Sequence, residues 1–176
     1  MHALPLADLR VDVDKQGADA LEVVIVTGRV DLVRLLLQER RLLNIGTRSL
    51  DYAAEEGHAE IVSMLLTDPR VDPTLARNSA LKSEVHYGFS LYTAVIGSHV
   101  DVVRLLLQQP EVDPHSVLHD ACKIGNVGVV KLLLNDPRTP QDDEYALKLA
   151  RTRRHTITEE LLLRSDVLRE LDERGR

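Results

Sequence analysis

LDYAAEEGHAEIVSMLL, residues Leu50 to Leu66, is one copy of a pattern that fills most of this chain. It recurs as LEVVIVTGRVDLVRLLL from Leu21 to Leu37, LYTAVIGSHVDVVRLLL from Leu91 to Leu107 and LHDACKIGNVGVVKLLL from Leu118 to Leu134. A damaged copy, LKLARTRRHTITEELLL, runs from Leu147 to Leu163. Each copy predicts a short helix with a small residue, a glycine-type turn, and a second helix that closes on leucines. Self-similarity at a few tens of residues is the mark of a stacked-repeat architecture.

The copies align without gaps. The small or apolar position of the first helix falls at Val24, Ala53, Ala94, Ala121 and Ala150, and the turn follows at Gly28, Gly57, Ser98, Gly125 and Arg154. An aliphatic pair comes next, at Leu32-Val33, Ile61-Val62, Val102-Val103 and Val129-Val130. A leucine pair ends the unit, at Leu36-Leu37, Leu65-Leu66, Leu106-Leu107 and Leu133-Leu134. The offset of four between pairs sets both on one helical face. A helix hairpin this short cannot bury that face alone, so it packs on the next copy. The turn positions are 29, 41, 27 and 29 residues apart, which predicts short, irregular connections and one insertion between Pro73 and Ser90. The glycines fit tight, left-handed bends.

These units resemble ankyrin repeats. The family signature T-P-L-H-x-A is met by Ser116-Val117-Leu118-His119-Asp120-Ala121, and the family's second helix is similar to Gly57-His58-Ala59-Glu60-Ile61-Val62-Ser63-Met64-Leu65-Leu66. The linker Asp68-Pro69-Arg70-Val71-Asp72-Pro73 recurs as Gln109-Pro110-Glu111-Val112-Asp113-Pro114 and in part as Asp136-Pro137-Arg138-Thr139-Pro140. It resembles linkers of divergent arrays in protists, fungi and large viruses. The steps differ from the ankyrin period of about 33 residues, and only one copy keeps the first-helix histidine. Glu22, Asp51, Tyr92 and Lys148 stand there in the others. A tetratricopeptide or HEAT array is the rival. The first lacks its aromatic knobs here, with no Trp and one Phe; the second runs about 40–47 residues per unit.

The resemblance implies an all-α, ankyrin-like solenoid. Residues 1–18 are expected to form a degenerate N-terminal cap or eroded repeat, since Asp8-Leu9-Arg10-Val11-Asp12-Val13 repeats the linker rhythm. The array then spans 19–163, in units of about 19–47, 48–73, 74–114 with the insertion, 115–140 and 141–163. Residues 164–176 are expected to cap it. Arg151, Arg153, Arg154, Glu159 and Glu160 make one face of the fifth copy polar, as an outer face requires. Leu163, Val167 and Leu171 form a stripe that either covers the last repeat or meets a partner.

The chain has 176 residues, a net charge of −6 and a single cysteine. The acidic balance argues against nucleic acid, which needs a basic footprint. No apolar run approaches the roughly 20 residues of a membrane helix, and Met1-His2-Ala3-Leu4-Pro5 does not open a secretory signal. Cys122 alone cannot form an intrachain disulfide, which fits a reducing compartment. The expectation is a monomeric, intracellular protein, with delivery into a host cell as the alternative.

Candidate chemistry is sparse. His119 and Cys122, three apart on one helix, could pair as imidazole and thiolate. Yet the resemblance gives the histidine a hydrogen bond to the backbone of the turns, and Cys122 fills the small packing slot that Ala54 holds in another copy. His58, His99 and His155 recur after the turn. Zinc needs imidazole nitrogens at about 2.0–2.1 Å, and helices of different repeats lie roughly 8–10 Å apart, so the three cannot share an ion. Capping the second helix or tethering the turn suits them better. Asp12, Asp72 and Asp113 lack the ligand spacing of a calcium loop. No catalytic residue, metal or cofactor is assigned.

The resemblance instead implies non-catalytic binding of another protein through the concave face. The variable first-helix positions are Val23 and Val26; Tyr52, Glu55 and Glu56; Thr93 and Ile96; Asp120, Lys123 and Ile124. The insertion adds Val85, His86, Tyr87 and Phe89, as a recognition loop or as a longer first helix burying Val85 and Phe89. The alternative function is a structural spacer of a longer repeat protein, with the binding face elsewhere.

Overall fold

The computed structural model describes residues 13–39, 45, 48–71, 89–110, 112–140 and 143–164. Among these the chain is helical throughout, with no strand. Four hairpins follow one another: α1 (Val13–Val26) with α2 (Val30–Gln38), α3 (Arg48–Glu55) with α4 (Ala59–Thr67), α5 (Phe89–Ile96) with α6 (Val100–Leu107), and α7 (Leu118–Ile124) with α8 (Val127–Leu134). A 3₁₀ turn over His115–Val117 leads into α7. A fifth pair joins α9 (Glu144–Arg153) to a helix, α10, over 156–164. The insertion, with Val85, His86 and Tyr87, lies outside the described residues, as do 1–12 and 165–176. Helix α1 runs through the expected boundary after residue 18, and α10 through that after 163.

The hairpins stack in two layers. First helices pack in the order α1, α3, α5, α7, α9, and second helices in the order α2, α4, α6, α8. The residue pattern explains both layers. Ala53, Ala94, Ala121 and Ala150 are fully buried, and their single methyls let the first helices approach closely. In the second layer Val33, Ile61, Val62, Leu65, Val102, Val103, Leu106, Val129, Val130 and Leu133 close the core. This contiguous burial across units is the term that stabilises a stack whose individual hairpins could not stand alone.

Five turns share one backbone form. Gly28, Gly57 and Gly125 take φ of 68°, 74° and 81°, and Ser98 and Arg154 take 62° and 61°. A histidine of the following unit lies against three of these turns. His58 Nε2 meets the Val26 carbonyl at 3.4 Å, His99 Nε2 the Glu55 carbonyl at 2.8 Å, and His155 Nε2 the Lys123 carbonyl at 3.1 Å. Of the two expected roles, tethering is the observed one, since neither His58 nor His99 caps its helix through its side chain. Asn126 stands at the same place in the fourth unit and does cap, accepting from the Val129 amide at 3.1 Å.

The linkers hold the stack together from the other end. Asp136 grips the Arg138 guanidinium with both carboxylate oxygens, at 2.9 and 2.7 Å. That guanidinium donates back to the preceding unit, to the carbonyls of Leu107 at 2.6 Å, Val112 at 2.8 Å and Gln109 at 3.1 Å. Asp68 and Arg70 repeat the device, with Arg70 donating to the Leu37 carbonyl at 2.6 Å. The end of each earlier second helix leaves carbonyls without intrahelical donors, and a planar five-donor fork suits several of them at once.

The fifth pair keeps one rule of the core and changes another. Thr158 takes the first apolar position of its second helix and is fully buried, with no hydrogen-bond partner for its hydroxyl. Its neighbour Glu159 turns outward to Arg151 at 2.7 Å.

Candidate interaction surface

The side of a first helix not turned to the core is set by helical spacing. On α5, Phe89, Tyr92 and Ile96 stand at i, i+3 and i+7, hence on one face, and are 44%, 40% and 47% exposed. Val23 and Val26 are exposed on α1, and Tyr145 on α9. Large apolar groups therefore recur on the open side of the first-helix layer in three of its five members. Glu55, Glu56 and Lys123 are exposed near the turns. Tyr52, Thr93, Asp120 and Ile124 are half-buried. Tyr52 and Ile124 pack against the core, and the Thr93 hydroxyl donates to the Ser90 carbonyl at 3.1 Å.

Tyr92 and Tyr145 were absent from the surface read off the sequence. Tyr92 occupies the first-helix histidine slot. Tyr145 stands five residues before Ala150, as Phe89 stands five before Ala94. The variable positions lie beside and after the small residue, whereas Tyr92 and Tyr145 come two and five residues before it. Marking i, i+3 and i+7 from Phe89 finds Tyr92.

The first-helix histidine slot also links units, but not as the resemblance implied. His119 Nε2 lies 2.6 Å from Oδ2 of Asp143, at the start of the next unit, rather than on a turn carbonyl. Asp51, in the same slot, accepts from the Ser90 hydroxyl of the next unit. Burial pushes the Asp51 carboxyl up, and the Glu55 charge adds to this against the Ser90 hydrogen bond. Burial acts the same way on Asp143, but the Ala146 amide and His119 outweigh it and hold that carboxyl below the ordinary range.

Cys122 is buried, and burial with the nearby Asp143 charge pushes its thiol up to about 12. A thiol so placed stays protonated at neutral pH and is a poor nucleophile. An orienting carboxylate for His119 does exist in Asp143, yet the pair lacks a thiolate to act with. His58, His99 and His155 lie in separate turns, each bonded to its own carbonyl, and share no site. Among the described residues no helix is long and apolar enough to cross a membrane.

The ankyrin repeat family model matches residues 115–140, the unit made of the 3₁₀ turn, α7 and α8. The other hairpins carry the same residue grammar and stack on it in the same two layers, and the match on this unit supports an ankyrin repeat assignment. Ankyrin repeats are in general protein–protein interaction modules and typically non-catalytic. No curated protein matches the sequence.

Proposed function

We propose that the array binds another protein, without catalysis or cofactor, through the open face of its first-helix layer. The supporting observation is the apolar stripe of Phe89, Tyr92 and Ile96 on α5, with Val23 and Val26 exposed on α1 and Tyr145 on α9, each two helices away along the layer. Interface energy concentrates in a few aromatic and aliphatic anchors, and a rigid stack presents them without the ordering cost a loop would carry. Glu55 and Glu56 give one part of the face an acidic rim, which favours a partner with basic groups opposite it.

The test is affinity capture from cell lysate with the wild type, Tyr92→Ala/Ile96→Ala, and an outer-layer control, Leu35→Ser. All three keep the same melting temperature in the expected case, because each changed side chain is solvent-facing. A protein retained by the wild type and the control but lost by the double variant supports this face. Retention by all three moves the binding site elsewhere. Specific capture by none returns the spacer reading.

A further inference from the structure

His115, His119 and Asp143 place three potential metal-ligand atoms within 4.8 Å of one another, and we propose that they form a binding site for a divalent transition-metal ion of the zinc type. The proposal does not rest on the protein-binding reading, although Tyr145 borders both sites. His115 opens the 3₁₀ turn and His119 lies one helical turn on, in α7. Two histidines at i and i+4 present their rings on one side of the chain. Asp143, from the next unit, meets both: its Oδ2 is 2.6 Å from His119 Nε2 and 3.5 Å from His115 Nε2. Neutral imidazole and carboxylate are the donors that zinc-type ions take, at about 2.0–2.2 Å. Ligand atoms of one such ion are themselves roughly 3 Å apart, so small side-chain rotations turn the observed spacing into a coordination set.

The surroundings already hold these ligands. Oδ1 of Asp143 accepts from the Ala146 amide at 2.9 Å, which leaves Oδ2 as the free ligand oxygen and fixes its direction. The backbone amide of His115 donates to Oδ1 of Asp113 at 2.9 Å, and the Ser116 hydroxyl to the Asp113 carbonyl at 2.8 Å. The Tyr145 ring meets His119 edge to face, with centroids 4.9 Å apart. Outer contacts of this kind orient ligands and typically change metal affinity by about 10–100-fold. The Asp143 side chain is 11% exposed and the two imidazoles 38% and 44%. An ion can thus enter from solvent and keep water in its remaining positions. Since the ligands come from two units, the ion links the fourth repeat to the fifth. The His119–Asp143 hydrogen bond alone is the competing account, and the two differ in whether added metal changes anything.

The experiment uses the full chain without a histidine tag, stripped with EDTA, dialysed, and titrated with zinc chloride by calorimetry. Cobalt(II) absorption in the visible reads the coordination directly. The wild type is expected to take up one equivalent of zinc, to give ligand-field bands with cobalt, and to melt at a higher temperature with zinc present. His115→Ala and Asp143→Asn should each weaken zinc binding at least about tenfold and remove the melting shift. The asparagine oxygen still caps α9, so this variant stays folded, as circular dichroism would verify. His58→Asn, in a different repeat, should bind as the wild type does. Saturable binding that survives both His115→Ala and Asp143→Asn would overturn the proposal, and so would no saturable binding to the wild type at millimolar zinc.

Discussion

Gly57→Ala separates the two demands that each turn places on its glycine. The first is backbone: at φ +74° a side chain costs roughly 1–2 kcal/mol. The second comes from the next unit. A Cβ on Gly57 would lie 2.4 Å from His99 Nδ1 and 2.8 Å from its Cγ, so the ring must move. Moving it breaks the 2.8 Å hydrogen bond to the Glu55 carbonyl, at about 1 kcal/mol. The reduced freedom of the unfolded alanine chain offsets about 0.5 kcal/mol. The net is about 2 kcal/mol, or a fall of about 4–8 °C in melting temperature for a chain of this size. Urea and thermal melts followed by circular dichroism read it. In a His99→Asn background the ring is gone, and Gly57→Ala should cost only about 1 kcal/mol, the backbone part. Ser98 takes φ 62° with a side chain already present, and the unit after it carries Asn126 in place of histidine, so Ser98→Ala should be within about 0.5 kcal/mol of neutral. Equal costs for Gly57→Ala in both backgrounds would refute the stacking half of this reasoning. A Ser98→Ala cost as large as that of Gly57→Ala would refute it as well.

Further outcomes follow from other contacts. Arg138→Ala should destabilise by about 1–2 kcal/mol, because it strips donors from the Leu107 and Val112 carbonyls; Arg138→Lys should recover little of this, since an ammonium cannot fork. Thr158→Val should raise stability by about 1 kcal/mol in the same melts, because it removes a buried hydroxyl without a partner. Cys122, with its thiol pushed up to about 12, should react with a chromogenic disulfide at neutral pH far more slowly than free cysteine, and at an ordinary rate in denaturant. Asp68 and Asp136 are held below their ordinary 3.8 by hydrogen bonds from Arg70 and Arg138. A depressed carboxyl stabilises the fold above its unfolded value and loses that contribution as pH falls through the folded one. The urea midpoint should therefore drop below about pH 4, and Asp136→Asn should flatten the drop.

The hairpins were legible because their signal is local. A small residue, a turn four on, and aliphatic pairs four apart fix a helix pair within one copy, and Ala53, Ala94, Ala121 and Ala150 are all buried as that pattern requires. The tether role of His58, His99 and His155 was among the readings, but its target was not, because each histidine reaches the turn of the preceding unit. That contact also explains which turns are glycine. Gly28, Gly57 and Gly125 each precede a unit with a histidine, whereas Ser98 precedes Asn126. The linker motif Asp-Pro-Arg was visible as a recurrence, but Arg138 acts on carbonyls 26 to 31 residues earlier, where no local period points. Asp143 is likewise 24 residues from His119, across an irregular connection. Tyr92 sits in a slot that the resemblance reserves for a buried tether, and in this unit that slot opens to solvent.

The most direct measurement of partner binding is site-specific photo-crosslinking. A photoreactive phenylalanine analogue placed at position 92 or 145 would sample the open face of the first-helix layer, and one at position 35 the exposed side of α2. Irradiation in cell lysate, followed by mass spectrometry, should give a discrete protein adduct from positions 92 and 145 and none from 35. Adducts from position 35 alone, or the same adducts from all three positions, would contradict the assignment of partner binding to the first-helix face.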